Sequence, residues 1–206
     1  KSQGGRRTGL GITAEGDMLA ALGITYGSDK AIDFAVEVQK TLAVEAYRSS
    51  VCLAKERGAF PVYDAKRETK NPMIIRLKEA DSDLYEEMTK YGRRNISLLT
   101  IAPTGTTSIM TQTTSGIEPV FLPYYVRRRK VNPNDKNVVI SFKDDVGDCW
   151  EEYYVFHHKF LTWCEVKGHK RDQVVKMPVE ELDKLVKSSP YYKATSADID
   201  WVAKVK

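Results

Sequence analysis

The run Ala102-Pro103-Thr104-Gly105-Thr106-Thr107-Ser108 combines hydroxyl-bearing and small residues in a way that suits an anion-binding turn. It follows Asn95 to Ile101, whose β-branched residues and leucines predict a short buried strand. Pro103 cannot donate to a strand ladder and therefore marks the end of that strand. Gly105 permits a tight turn with positive φ. If a helix begins here, its free amides and its dipole favour a phosphate at this point.

The same residue types also suit a turn that binds no ligand. Serine and threonine side chains commonly cap helices and satisfy the backbone of turns. Composition alone therefore leaves two interpretations open, an anion site and a capped turn.

Composition and charge describe an ordinary globular chain. Its 206 residues are 42% hydrophobic and 29% charged, and the formal net charge is only +4. The strongest basic cluster, Arg127 to Lys130, is four residues long and is interpreted as a solvated loop, so no direct nucleic-acid partner is expected. No apolar run approaches the roughly 18 residues of a membrane span, and no signal peptide opens the chain.

The cysteines and the chain ends add two further expectations. Three cysteines without C-x-x-C spacing favour a reducing, cytoplasmic location over a disulfide framework or a zinc ribbon. Cys52 falls in an apolar helical segment and is expected to be buried and inert. Because Lys1 is not a start methionine and the chain stops within a predicted helix, we expect a piece of a longer protein.

Hydrophobic periodicity and capping residues predict mostly helices with a few strands. Ser28 is expected to cap a long helix that ends at Gly58 and is buried on several sides, because its apolar residues surround most of its circumference. The other predicted elements are a helix from Thr13 to Gly23, two helices within 71–91, a strand over 120–126, a turn over 132–135, an aromatic helix from Trp150 to Trp163, a helix from Pro178 to Val186 and a final helix from Ser196.

Three other patterns do not favour a site. Gly9 to Ala14 matches G-x-G-x-x-A, but no hydrophobic strand precedes it, as a dinucleotide fold requires. His157 and His158 point to different sides of a helix, so surface or packing roles are favoured over a metal site with Cys164. The acidic residues from Asp144 to Glu152 are interpreted as a solvated loop and the negative first turn of the aromatic helix.

Two long blocks resemble the catalytic chain of ribonucleotide reductases. One runs from Arg93 through Ser108 and continues with Ser115-Gly116-Ile117-Glu118-Pro119. The other opens at Arg6-Arg7-Thr8-Gly9-Leu10-Gly11-Ile12 and continues through Gly16-Asp17-Met18-Leu19 to Gly27-Ser28. Their order and separation also match, and the resemblance covers nearly all 206 residues. The residues of the two blocks are most similar to those of the adenosylcobalamin-dependent class of reductases. The large subunit of the di-metal class is the second most similar.

The resemblance implies an α/β fold in which residues 1–206 form one internal fragment of a ten-stranded α/β barrel, mostly helices with a few barrel strands. It implies reduction of ribonucleoside diphosphates to 2′-deoxyribonucleotides by radical chemistry, for DNA precursor synthesis. The parent enzyme would use adenosylcobalamin and a thioredoxin-type reductant, and could form a homodimer. The substrate phosphates would be held by six loop residues: Pro103, Thr104, Gly105, Thr106, Thr107 and Ser108.

The sequence departs from the family in its cysteines. Reductases need a thiyl-forming cysteine in an Asn-x-Cys-x-Glu setting and a redox cysteine pair, and neither pattern occurs here. We therefore expect a fragment that carries the substrate-phosphate loop, lacks the catalytic cysteines and is inert alone. The alternatives are a non-catalytic nucleotide- or phosphate-binding module and a purely structural α/β piece.

Overall fold

The computed structural model describes residues 2–134 and 138–202. In chain order the elements are α1 (Ser2–Gly5), α2 (Glu15–Ala21), α3 (Asp29–Arg57), α4 (Ala65–Glu68), α5 (Pro72–Ala80), α6 (Ser82–Tyr91), α7 (Gly105–Thr111), β1 (Tyr124–Val131), β2 (Phe142–Lys143), β3 (Cys149–Phe156), α8 (His158–Val166), α9 (Arg171–Val174) and α10 (Val179–Ser188). These residues form two compact units, the first within Lys1–Ile12 and Asp29–Pro103, the second within Thr13–Ser28 and Thr104–Lys206.

The first unit is a helical layer built on the C-terminal half of α3. Its core joins α3 to α5 and α6 through seven buried residues: Tyr47, Val51, Ile74, Leu77, Leu84, Met88 and Leu98. The predicted helix pair is confirmed, and Asp81 explains the break between its members. The Asp81 Oδ1 atom accepts a hydrogen bond from the Leu84 amide at 2.9 Å, so the chain ends one helix and caps the next.

The prediction that α3 is buried on several sides is wrong for the described residues. The helix has the predicted bounds and ends at Gly58 with φ 78°. However, it buries only Ala31 and one stripe of its C-terminal half, while Val36 is 56% exposed. Cys52 lies outside that stripe and is exposed, so the expectation of a buried thiol there is also wrong.

An extended segment replaces the strand predicted over Asn95 to Ile101. It runs parallel to the start of the chain, with a bridge between Leu10 and Leu99 and hydrogen bonds from the Leu10 amide to Leu98 O and from the Thr100 amide to Leu10 O. A parallel strand needs a ladder of partners to be a regular element. The residues that the structure describes supply this short pairing, an isolated parallel bridge between Val120 and Thr195, and a separate three-stranded sheet, and they do not close a barrel.

Gly11 owes its identity to this parallel pairing. A Cβ atom at Gly11 would lie 2.4 Å from the Thr100 carbonyl oxygen, which is backbone and cannot move aside cheaply. Close approach of two backbone segments therefore accounts for the glycine at position 11 of the G-x-G-x-x-A pattern.

We predict that Gly11→Ala lowers the free energy of unfolding by about 1–3 kcal/mol, because the methyl group must push the two segments apart. Gly4→Ala is the matched control, since a Cβ at Gly4 meets nothing within 4 Å. Urea unfolding followed by circular dichroism measures both variants. Equal midpoints for the two variants would show that the pairing does not need glycine.

The second unit packs α8, α9 and α10 around a core of eight buried residues: Ala20, Val120, Phe160, Leu161, Cys164, Val174, Leu182 and Tyr191. The helix predicted from Pro178 is confirmed as α10, and the one predicted from Thr13 as α2, with Gly23 at φ 67° after its end. The segment after Ser196 forms a turn over 196–198 and two helical residues, Trp201 and Val202, and the rest of that prediction lies outside the described residues. So does Asp135 of the predicted turn.

A three-stranded antiparallel sheet corrects several predictions. The aromatic segment is strand β3 followed by α8, so the helix predicted from Trp150 is wrong at its start. The strand predicted over 120–126 is displaced to β1, which pairs with β3 along its whole length. The basic run belongs to β1 and is not a loop. Two of its side chains form ion pairs with the glutamates directly opposite in β3, Arg128 with Glu152 and Arg129 with Glu151, each at 2.6 Å. Lys130 forms a third ion pair, with Asp148, which directly precedes β3.

These ion pairs neutralise most of the basic run. Glu151 and Glu152 lie in strand β3, so the prediction that they form the first turn of a helix is wrong. A large anion would have to displace three carboxylates to bind there. None of the helices in the described ranges is both long enough and apolar enough to cross a bilayer.

Candidate functional site

The predicted anion loop is a sharp turn into α7. Helix α7 begins at Gly105, and the residue before it, Thr104, has φ 53° and ψ 27°. The expectation that Gly105 has the positive φ is wrong, because the left-handed residue is Thr104. A β-branched residue in this region is strained by about 1–2 kcal/mol, so its surroundings must hold it there.

The first turn of α7 presents three free amides. Within the described residues, no acceptor takes the N–H of Gly105, Thr106 or Thr107, and no side chain caps the helix. All three residues are exposed. Amides of this kind, aimed out of a helix start, favour an anion.

Gly105 leaves the space beside these amides open. Its φ is not positive, and a Cβ at this position would meet no atom within 4 Å. The backbone and the packing therefore do not require glycine. Because Cα–Cβ bonds tilt toward the N-terminus of a helix, a side chain here would lean toward the space that an anion would occupy.

The hydroxyls of the loop divide into two kinds. Ser108 is buried, and its Oγ donates to Gly105 O and contacts Ser115 Oγ, each at 2.8 Å. Thr106 and Thr107 are exposed, and within the described chain their hydroxyls make no hydrogen bond. Pro103 is exposed and directly precedes the turn. Ser108 therefore stabilises the loop from within, whereas Pro103, Thr106 and Thr107 lie on its exposed side.

Thr104 is fixed by its own side chain. Its Oγ1 accepts a hydrogen bond from the Gly116 amide at 2.7 Å and lies 2.9 Å from Thr13 Oγ1. Thr13 Oγ1 also donates to Thr114 O at 3.3 Å. These contacts join the loop to the segment before α2 and to residues 114–116.

Asp17 lies at the centre of this polar network. Its Oδ2 accepts from the Thr114 amide at 2.8 Å. Its Oδ1 accepts from Tyr191 Oη at 2.8 Å and lies 2.7 Å from His157 Nε2. The Asp17 side chain is 7% exposed. Its three hydrogen-bonding partners compensate the loss of hydration that burial of the carboxylate causes.

Sequence reasoning missed this network. His157 and Tyr191 are 140 and 174 residues from Asp17, and no local spacing connects them. His157 has a packing role, as expected, but with a carboxylate partner that the sequence did not suggest. His158 lies near Arg171, and burial followed by that positive charge lowers the pKa of His158 below its ordinary value. The described residues contain no cluster of metal ligands.

Backbone strain is concentrated around the same network. Ala14, Thr104 and Gln112 are three of the five non-glycine residues with positive φ within residues 2–134 and 138–202. Ala14 donates its amide to Thr114 O at 3.2 Å. Strained residues persist where hydrogen bonds and packing over-determine them, and they are common at functional sites.

A cleft of about 920 Å³ lies beside the network in the same unit. Asp17 and Tyr191 contribute to one wall, and α8 contributes Lys159, Trp163 and Lys167. The two cysteines of this unit are buried, and burial raises the pKa of the Cys164 thiol to about 11. The Cys164 thiol therefore stays protonated near neutral pH.

Comparison with known proteins identifies the family. The family model of the ribonucleotide reductase barrel domain matches residues 1–200. The chain therefore belongs to the ribonucleotide reductase family, and the sequence-based resemblance is confirmed.

Curated relatives carry reductase names. The chain is 34% identical over 122 residues to a vitamin B12-dependent ribonucleoside-diphosphate reductase of Mycobacterium tuberculosis. The matched residues are 59% of this chain and 15% of the relative. A Thermoplasma acidophilum protein of the same name is 34% identical over 122 residues, 59% of this chain and 14% of the relative. The ribonucleoside-diphosphate reductase subunit alpha of Treponema pallidum is 30% identical over 128 residues, which are 61% of this chain and 15% of the relative. The matched stretch thus spans about 15% of the length of these relatives.

The network predicts an alkaline limit to stability. Burial, followed by the charge and hydrogen bond of Asp17, raises the pKa of Tyr191 above its ordinary value. A raised folded-state pKa gives stability that is present below the unfolded pKa of about 10 and is lost as the pH rises above it. We expect the fall in Tm between about pH 9 and pH 11 to be shallower in Tyr191→Phe than in the wild type.

Calorimetry across this pH range measures the effect, and the exposed Tyr192→Phe is the matched control. The slope should decrease without vanishing, because burial and Asp183 also raise the pKa of Tyr124. Parallel curves for the wild type and Tyr191→Phe would contradict the assignment.

Proposed function

We propose that this chain is part of the catalytic barrel of a ribonucleotide reductase that reduces ribonucleoside diphosphates to 2′-deoxyribonucleotides. Family membership and the names of the relatives support the reaction class. Within the barrel, we assign the substrate phosphates to residues 103–108. The observation that carries this assignment is the exposed start of α7, with three amides that have no acceptor in the described chain.

Phosphate binding at this loop would be a positioning function. Three N–H groups and the helix dipole stabilise negative charge without a cationic side chain. The exposed hydroxyls of Thr106 and Thr107 can donate to further phosphate oxygens. An anchored diphosphate fixes where the ribose lies, and fixed geometry lowers the barrier of the chemical step.

The cysteines of this chain do not suit the radical chemistry that the vitamin B12-derived cofactor implied by two relatives' names would start. Radical chemistry in this family needs an accessible thiol. Cys149 and Cys164 are buried, and Cys52 is an exposed residue of α3 without the Asn-x-Cys-x-Glu setting. We therefore propose that the cofactor, the thiyl cysteine and the redox pair belong to other parts of the whole protein. A homodimeric assembly and a thioredoxin-type reductant are proposals of the same kind.

Gly105→Ala tests the loop assignment in the complete reductase. The variant should fold normally, with stability unchanged or raised by up to about 1 kcal/mol, because Ala restricts the unfolded chain and meets no neighbour. The KM for a ribonucleoside diphosphate should rise roughly tenfold, since the new methyl group intrudes on the space beside the amides. Steady-state assays measure KM, and thermal unfolding measures stability.

Gly4→Ala serves as the control, because it makes the same change at another helical glycine with open space around it. Thr106→Val, which removes one exposed hydroxyl, should also raise KM. An unchanged KM in Gly105→Ala would favour the alternative that the loop is a structural turn without a ligand.

A further inference from the structure

We infer that Asp17 is a positioning residue for the phosphate loop, and that it acts through Thr114 and Thr13 on the conformation of Thr104. The inference rests on the function proposed above, because it assigns a role within that site. Among the described residues Asp17 makes no hydrogen bond to residues 103–108, so its effect on the loop passes through a chain of hydrogen bonds. All of these residues lie in the second unit.

The first step is a reciprocal pair between Asp17 and Thr114. The Thr114 amide donates to Asp17 Oδ2 at 2.8 Å, and the Asp17 amide donates to Thr114 Oγ1 at 3.2 Å. Both residues are buried. Contacts with His157 and Tyr191 hold the other carboxylate oxygen, so the group cannot rotate without breaking them. Residue 114 is thereby fixed relative to α2.

The second step is a chain of contacts through two hydroxyl groups. Thr13 Oγ1 lies 3.3 Å from Thr114 O and 2.9 Å from Thr104 Oγ1, and in the contact between the two hydroxyls either one can donate. The lone pairs of Thr104 Oγ1 then accept the Gly116 amide at 2.7 Å. The Thr13 hydroxyl therefore links Thr114 to Thr104, and the Thr104 hydroxyl links Thr13 to Gly116.

The third step connects this chain to the amides. Thr104 has φ 53°, and α7 has no side-chain cap. The hydrogen bonds of Thr104 Oγ1 are therefore the side-chain contacts that hold the strained residue before the helix. If Thr104 relaxed to an ordinary φ, the N–H groups of residues 105–107 would point in a different direction. Preorganised donors bind an anion better than donors that must first be ordered.

Asp17→Asn tests the inference in the complete reductase. An asparagine side chain has one oxygen, whereas Asp17 must accept on both sides. The NH₂ group of the asparagine would then face donors on one of its two sides. Those donors are either the Thr114 amide or the side chains of His157 and Tyr191. The KM for a ribonucleoside diphosphate should rise roughly tenfold, while kcat stays within about threefold. A merely structural role would lower kcat through loss of folded enzyme and leave KM unchanged.

Asp172→Asn is the matched control, because it makes the same charge change at an exposed position of the same unit. A second pair of variants tests the hydroxyl chain without touching the carboxylate. Thr13→Val removes the hydroxyl and should raise KM to a similar extent, whereas Thr13→Ser retains it and should restore a KM near the wild-type value. This pair decides the matter if Asp17→Asn does not fold.

An unchanged KM in folded Asp17→Asn would overturn the inference, and so would equal KM values for Thr13→Val and Thr13→Ser. Gly105→Ala separates this failure from failure of the proposed function. If Gly105→Ala raises KM but the Asp17 and Thr13 variants do not, the loop binds phosphate without this network. If Gly105→Ala also leaves KM unchanged, the loop is not the phosphate site and both proposals fall.

Discussion

Burial of the Asp17 carboxylate is the constraint on which the arrangement of the second unit depends. A buried charge is tolerated only when hydrogen bonds replace its hydration. Here the replacements come from residues 114, 157 and 191, which lie in three separate parts of the chain. Satisfying one side chain therefore fixes α2 against the turn after α7, the start of α8 and the segment after α10.

The same network accounts for the strained backbone around it. Ala14 and Thr104 both have positive φ, and both are tied to residues 114–116 by hydrogen bonds. Each strained residue costs about 1–2 kcal/mol, which surrounding contacts must offset. The result is a helix start whose amides are exposed and fixed in direction. A helix capped by its own side chains would be more stable and could not bind an anion in this way.

Local signals in the sequence were enough for helices α2, α3, α5, α6 and α10 and for the position of the loop. Asn71, Pro72 and Asp81 mark helix starts through caps that depend on neighbouring residues only, and the structure has those helices at the predicted places. The hydroxyls and the position of the anion loop were also local. The turn itself was predicted with the wrong residue in the left-handed region, because the hydrogen bonds that hold Thr104 come from Thr13 and Gly116.

Features that depend on distant partners could not be predicted. The segment from Cys149 to Phe156 has a helix-like aromatic pattern, yet it is a strand because β1 offers a partner for every residue. The exposure of Cys52 follows from which side of α3 is covered, and the sequence of α3 is apolar on more than one side. The Asp17 network joins residues more than 90 positions apart.

We propose that the amides of residues 105–107 bind the substrate phosphates in the geometry that the Asp17 network sets. An experimental structure of the complete reductase with a ribonucleoside diphosphate tests it most directly. We expect phosphate oxygens about 2.7–3.2 Å from these three nitrogens, with Thr104 still at positive φ. A diphosphate bound elsewhere, with these amides in contact with water only, would contradict it.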